Sequence, residues 1–431
     1  MKESEPADAV EPPPEPEQPG REQEPIEFAP AVIETAGGAI PRAKVTRSLT
    51  HGGITGGQFL SIHIMAAGFP LIAGLALYGW RALMTIVIVV CSCVAATAAW
   101  RRVGRRGQQL TYPYAIWLGL LLALTFPPHL LSDAIQVGNR IVVAWPILPA
   151  ATILLVIITW ICGGLGSGHV HPVVLAHLVI VAGASSLLVP RVSLQRSHAF
   201  LGDVLRAGDP SRVETVRGPW NAIEQIPGQD AVRSAPASQL LTGYTSGIER
   251  PAGSFLSMEA LLRDQMPPLE DLIVGGAPGP IGISSAIAII VGGMFLMYRG
   301  VIDYRIPLLI VLAALIALLV LPVPVAIRET ARQWQWLALR NRDVSLPVAA
   351  TFANYELLAS PLLFVAFFLA TETGIRPMAR RARAIYAILI GLVAAALQLY
   401  VSVRVGPYIA MLVVGLLSPI LDRWFVTRTL V

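Results

Sequence analysis

Residues 304–322 read Tyr304-Arg305-Ile306-Pro307-Leu308-Leu309-Ile310-Val311-Leu312-Ala313-Ala314-Leu315-Ile316-Ala317-Leu318-Leu319-Val320-Leu321-Pro322, with a single charge near the start. A helix takes about 20 such residues to cross the hydrocarbon core of a bilayer, at about 1.5 Å each. The pattern repeats on both sides of this run. Comparable apolar segments lie at 58–79, 82–99, 110–126, 141–162, 170–190, 281–298, 346–370, 384–402 and 406–425. Of the 431 residues 55% are hydrophobic and 14% charged, against about 25% charged in a typical soluble domain. These runs argue against a soluble single-core enzyme. The net charge of +5 is scattered between them, which argues against nucleic acid as a partner and for a lipid bilayer. The expected fold class is an all-α polytopic membrane protein. It would have about ten transmembrane helices in two five-helix blocks, separated by a long extracytoplasmic loop.

The basic residues give the expected orientation. Arg42, Lys44 and Arg47 precede the first segment, Arg101, Arg102, Arg105 and Arg106 follow the second, and Arg376, Arg380, Arg381 and Arg383 precede the ninth. Ten crossings put all three groups on one side, and the positive-inside rule makes that side cytoplasmic, with both termini. Arg328, Arg332, Arg340 and Arg342 then fall outside. With Trp334 and Trp336 beside them, they are expected to form an amphipathic helix lying in the interface. Residues 1–50 form a cytoplasmic tail whose Glu11-Pro12-Pro13-Pro14-Glu15-Pro16-Glu17 run cannot bury enough apolar surface to order itself. The first transmembrane block covers 51–190, the extracytoplasmic loop 191–275 and the second block 276–431. Five-plus-five division suggests an internal repeat of the transporter type. Cys91, Cys93 and Cys162 all lie in apolar runs. They make no disulfide framework and lack companions at metal-ligand spacing, so no metal site is expected.

Chemistry is sought where polar or glycine-rich stretches interrupt the apolar runs, because such groups are costly at membrane depth. Gly163-Gly164-Leu165-Gly166-Ser167-Gly168-His169-Val170-His171-Pro172 is either a tight inter-helix turn or a cavity lining. Gly275-Gly276-Ala277-Pro278-Gly279-Pro280-Ile281-Gly282-Ile283-Ser284-Ser285 leads into the sixth segment. It reads as an anion site built on amide N–H groups and hydroxyls, or as a re-entrant turn with Ser caps. Ala370-Thr371-Glu372-Thr373-Gly374-Ile375-Arg376-Pro377 places Glu372 at the membrane edge, in an ion path or paired with Arg376. Leu240-Leu241-Thr242-Gly243-Tyr244-Thr245-Ser246-Gly247 is a polar turn whose Thr hydroxyls, beside glycine, are expected to be accessible. No Ser/His/Asp triad, P-loop or dinucleotide fingerprint stands out.

Residues Asp271–Pro307 resemble the RnfD/NqrB family, membrane components of Rnf-type electron-transport complexes and of the sodium-translocating NADH:quinone reductase. In that family a segment of the form G-x-x-P-G-S-x-G-E-T-S precedes an apolar span that ends in aromatic-Arg-Ile-Pro, here Tyr304-Arg305-Ile306-Pro307. Gly163–Pro172 is similar to its G-G-L-G-x-N-x-F-N-P, Ala370–Pro377 to its A-T-D-P-x-T-x-P, and Ser418-Pro419-Ile420-Leu421-Asp422 to the P-L-I-D closing its last span. The resemblance covers most of residues 110–425 in order. The departures are Tyr244 for a small Ala, Gln239 for an acidic residue, Pro280 for Ser, Ile283 for Glu, Glu372 for Asp, Gly374 near a hydroxyl position and His171 for Asn.

The resemblance implies a flavin-carrying membrane subunit of an electron-transport complex that couples electron transfer to Na⁺ or H⁺ translocation. Its setting would be the bacterial plasma (inner) membrane. FMN would be joined through its phosphate to Thr245, the last residue of Thr242-Gly243-Tyr244-Thr245, by a flavin transferase acting outside the cytoplasm. A second, noncovalent flavin is compatible with that assignment. Gly279, Gly282, Ser284 and Ser285 would contact the cofactor, and Glu372 and His171 are the candidate ion-path residues. The partners implied are the other membrane and extracytoplasmic subunits of such a complex. Two other readings stay open on the same fold: a non-redox solute channel or transporter, and a structural scaffold within the complex.

Overall fold

The protein was analysed as a computed structural model. It describes residues 56–103, 111–131, 135–137, 140–142, 144–162, 170–188, 193–195, 224–225, 232–234, 236–246, 257–328, 331–337 and 344–426. The N-terminal tail, residues 163–169 of the first glycine-rich stretch and much of the loop 191–256 lie outside the described residues.

Apolar composition without a polar stripe produces helices that bury against one another on some sides and present Leu, Ile and Val on the rest. The first block contains α1 (Gly56–Tyr78), α2 (Trp80–Val103), α3 (Tyr112–Thr125), a β-hairpin of β1 (Ile135–Val137) and β2 (Arg140–Val142), α4 (Ile147–Ile161) and α5 (Pro172–Leu188). The intervening region holds a three-stranded sheet of β3 (Ser193–Gln195), β4 (Glu224–Gln225) and β5 (Val232–Ser234), in the order β3-β5-β4. It continues with α6 (Ala237–Ser246), a short turn of helix at 258–265 and α7 (Leu269–Val274). The second block contains α8 (Ala286–Tyr298), α9 (Arg305–Val320), a hairpin of β6 (Val323–Arg328) and β7 (Ala331–Gln335), α10 (Leu346–Leu358), α11 (Leu362–Phe364, continued by a π turn over Val365–Leu369), α12 (Arg380–Tyr400) and α13 (Gly406–Val426).

Helices α1, α2, α12 and α13 are each long and apolar enough to cross a membrane, and α10 with α11 forms a fifth candidate bent by 60° at Ala359-Ser360-Pro361. The other apolar helices, α3, α4, α5, α8 and α9, are shorter. The chain is therefore an all-α membrane protein with small β-hairpins. Two expected segments begin late: 141–142 belongs to β2, and 281–285 is a turn before α8.

Element order repeats between the blocks. The series α2, α3, hairpin, α4, polar turn, α5 matches α8, α9, hairpin, α10–α11, polar turn, α12. Each hairpin follows the second helix of its series, and His171 and Glu372 belong to the equivalent polar turns. This shared order is offset by one helix from the expected five-plus-five division.

The expected amphipathic helix with Trp334 is instead the hairpin β6–β7, paired antiparallel from Val323–Gln335 to Arg328–Ala331 with a register irregularity between Ala326 and Arg328. Its Val-x-Val-x-Ile sequence at 323–327 has the alternation and β-branching of a strand. Trp334 meets the ring of Tyr400 edge-on at 5.9 Å.

Close helix contacts use glycine. Helix α12 lies against α9 at Gly391, where an added Cβ would stand 2.9 Å from the Ala313 side chain. At Gly275 the φ of 122° ends α7 in a conformation that disfavours side-chain-bearing residues.

Candidate functional site

Hydrogen bonds and ion pairs sort the interruptions into two ends of the bundle. At one end Tyr78 closes α1 and bonds Gly279, α3 closes at Leu124 and Phe126 against the glycine-rich turn, and Arg404 of the α12–α13 turn donates to the Leu188 carbonyl of α5 at 2.9 Å. At the other end Arg383 pairs with Asp303 at 3.3 Å. There the Asp422 carboxylate also accepts from the amides of Met378 and Ala379 at 2.8 and 3.3 Å. That last contact places a negative charge at the N-terminus of α12, where the helix dipole favours it.

The glycine-rich turn 275–285 does not present a free anion cradle. Gly279 N–H donates to the Tyr78 hydroxyl at 2.7 Å, Ile281 N–H to Phe126 O at 3.1 Å and Gly282 N–H to Leu124 O at 2.8 Å. Ile283 and Ser284 N–H both turn back to Pro280 O, at 3.1 and 3.2 Å. The hydroxyl of Ser284 donates to Ile281 O, and Ser285 caps α8 by accepting from Ala288 N–H at 3.4 Å. An added Cβ at Gly282 would stand 2.5 Å from Leu124 Cβ. Most of the polar groups expected to hold a cofactor are therefore committed to protein partners, and Gly282 serves close packing.

Thr242, Gly243 and Thr245 sit on α6 rather than on a polar turn. Thr245 is 6% exposed, which corrects the expected accessibility. Its hydroxyl is directed at the Leu241 and Thr242 carbonyls, at 3.3 and 3.2 Å, because a buried hydroxyl on a helix reaches back to the preceding turn. The half-buried Thr242 hydroxyl donates to Ser238 O at 2.8 Å and accepts from Val403 N–H at 3.2 Å, tying α6 to the α12–α13 turn.

Beside α6 lies a small cavity of about 20 Å³, lined by residues of both blocks, including Thr125, His177, Ser238, Pro361, Arg404 and Tyr408. Thr125 Oγ1 and His177 Nδ1 are 3.1 Å apart. The Tyr408 hydroxyl is buried and has no hydrogen-bond partner among the described residues. Burial pulls the Arg404 guanidinium down to about 10.

At the other end the two candidate ion-path residues meet. His171 Nε2 lies 2.8 Å from Glu372 Oε2, joining the polar turn before α5 to the turn after α11. Neither atom completes a directed hydrogen bond there, so the contact is electrostatic rather than a well-aligned N–H···O bond. Burial, the largest single influence, would raise the Glu372 carboxyl; His171, His63 and Tyr114 together outweigh it and hold the group below the ordinary carboxylate range. The same carboxylate acts on His63 of α1, Tyr114 of α3 and Tyr386 of α12. Arg376, the alternative partner, contacts Glu372 through its backbone amide. Neither His63 nor Tyr114 carries a local motif; both lie inside apolar runs. Among the described residues no group of His, Cys, Asp and Glu could hold a metal ion.

Over 374 residues the chain is 25% identical to the D component of the ion-translocating oxidoreductase complex of Halorhodospira halophila, covering 85% of this chain and 89% of that protein. It is 23% identical over 351 residues to the D component of the Na(+)-translocating ferredoxin:NAD(+) oxidoreductase complex of Acetobacterium woodii, covering 80% and 82%. It is 21% identical over 347 residues to the D component of the proton-translocating ferredoxin:NAD(+) oxidoreductase complex of Clostridium ljungdahlii, covering 80% and 83%. The NQR2, RnfD, RnfE family matches residues 46–430, nearly the whole chain, and the protein belongs to that family.

Proposed function

We propose that this chain is the flavin-carrying membrane subunit of an electron-transport complex that moves Na⁺ or H⁺ across the bacterial plasma membrane. Family membership and relatives named for ion translocation support the setting. The observation that carries the ion-coupling half is the contact of His171 with Glu372 between the two blocks. A buried, electrostatically held pair at an inter-block junction is suited to binding and releasing a cation. Arg101 and Arg102 lie at the same end as Arg376, Arg380, Arg381 and Arg383: Arg101 stacks over Tyr112 at 4.7 Å, two residues before Tyr114, whose hydroxyl feels Glu372. The positive-inside rule then makes that end cytoplasmic. With ten crossings, α6 and the cavity beside it face outward, within reach of a flavin transferase.

Bound flavin would supply one- and two-electron transfer. The folded geometry limits what holds it. Thr245 becomes an acceptor for a phosphoester only when the last turn of α6 opens. Gly243 inside that helix lowers the cost of opening by about 1 kcal/mol relative to Ala. In the folded state the turn 275–285 fits packing and not a phosphate. Thr242 anchors α6 to Val403 while the turn beyond it moves. Ser238, Arg404 and Tyr408 offer polar groups beside the attachment helix. Proteins that bring and remove electrons are the implied partners.

Denaturing electrophoresis followed by fluorescence under UV tests attachment. With the transferase co-expressed, a fluorescent band at the chain's mass that disappears in Thr245→Val is expected. The burial of Thr245 favours a second reading, a membrane component that keeps the bundle without a covalent flavin; a dark band in such cells would select it.

A further inference from the structure

Helix α10 contains Glu356, the only charged residue between 346 and 370. Its side chain is completely buried, and among the described residues neither carboxylate oxygen has a hydrogen-bond partner. Elements α6, α7, α9, α11 and the helical turn at 258–260 pack around α10. Their titratable groups are Tyr244, Glu259, Glu270, Asp271 and Arg305, and Tyr355 adjoins Glu356 on α10 itself; none of these acts on Glu356 as a charge. Gln265, in the turn that follows 258–260, is a neutral amide. An ionised carboxylate in such surroundings costs several kcal/mol. The group is therefore neutral in this fold, and it ionises only when a route to water opens.

One route lies close by. Residues three apart on a helix share a face. Ala359, three after Glu356, lines the cavity that Thr125, His177, Arg404 and Tyr408 also line. Ala359 is the first residue of the break between α10 and α11, where the span bends by 60°. The cavity is mainly apolar but carries the Thr125, Ser238 and Tyr408 hydroxyls with His177 and Arg404; it adjoins the hinge and has room and polar partners for about one water, which would relay a proton.

We propose that Glu356 is a proton-exchanging carboxyl in the interior of the second block, opening to the cavity at the break between α10 and α11. It is distinct from the His171–Glu372 pair and does not depend on flavin attachment. The proton leaves the carboxyl for cavity water when the hinge moves, and returns from it when the hinge closes. The ligand is a proton; no bond other than O–H forms or breaks.

Dicyclohexylcarbodiimide, which enters membranes and reacts with protonated carboxyls, tests this on the full chain in native membranes. The carbodiimide nitrogen takes the carboxyl proton, the oxygen adds to the central carbon, and the product rearranges to an N-acylurea with nothing lost. Peptide mass spectrometry is expected to find the adduct on Glu356 at neutral pH, with labelling that falls at least tenfold as the medium is made alkaline. Absence of the adduct would overturn the proposal. So would labelling that is independent of pH, the behaviour of a sealed, permanently neutral acid. Glu356→Gln, checked for a monodisperse gel-filtration profile, is expected to lose that adduct alone. Thr245→Val is expected to label like the parent chain, so failure of the flavin assignment leaves this result standing.

Discussion

Two polar interruptions, 275–285 and 370–377, announce themselves with equal force in the sequence and are opposite in kind. In the first, every amide from Ile281 to Ser284 and the amide of Gly279 is bonded to a protein partner. In the second, the Glu372 carboxylate and the His171 imidazole face each other at 2.8 Å with hydrogen-bonding capacity left over. A glycine-rich turn whose amides from Ile281 to Ser284 are all used holds helices together. A charged turn whose donors and acceptors are not all used is available for chemistry. The distinction rests on polar satisfaction and not on motif.

The largest effect that could break this comparison is removal of one partner of the pair. Glu372→Ala is expected to destabilise the protein by about 3–5 kcal/mol, because it leaves a buried group without its counter-charge. Thermal unfolding in detergent reads this, and His171→Ala combined with it is expected to add much less than its separate effect. Additive losses would show the two turns to be independent.

The pair also sets a pH dependence. Glu372 is held below its ordinary value in the folded state. Its contribution is therefore full above the ordinary carboxylate range and is lost as pH falls through the depressed folded value. In acid titrations followed by unfolding, Glu372→Gln is expected to flatten that limb; an unchanged acid limb would remove the pair from the account.

For the packing turn, Gly282→Val forces a side chain into Leu124 and is expected to cost about 1–3 kcal/mol. Unlike Glu372→Ala, it is expected to leave the acid limb unchanged. Smaller still, Asp422→Ala removes the acceptor for Met378 and Ala379 and is expected to cost about 1 kcal/mol. Both are read by the same unfolding measurement. A Gly282→Val protein as stable as its parent would mean that the turn yields and is not the rigid packing element described.

The apolar runs are legible because each approaches or exceeds the length a helix needs in a bilayer. Polar turns are legible as interruptions. What they do is not, because the partners of Ile281 and Gly282 lie on and just after α3, more than 150 residues earlier in the chain. Around Trp334 the Arg and Trp content suggests an interfacial helix; the period-two pattern of 323–327 is the better signal. Gly243 and Ser246 suggest an accessible turn at Thr245, yet Leu240, Leu241 and Tyr244 carry α6 into the core. Glu356 belongs to no motif and apolar neighbours dominate its window, although one charge in such a window is itself a signal.

The most direct test is to reconstitute the complex in vesicles and measure electron transfer and ion uptake together with Glu372→Gln. Electron transfer is predicted to persist while ion uptake is lost. Uptake that continues at the parent rate, with electron transfer intact, would contradict this.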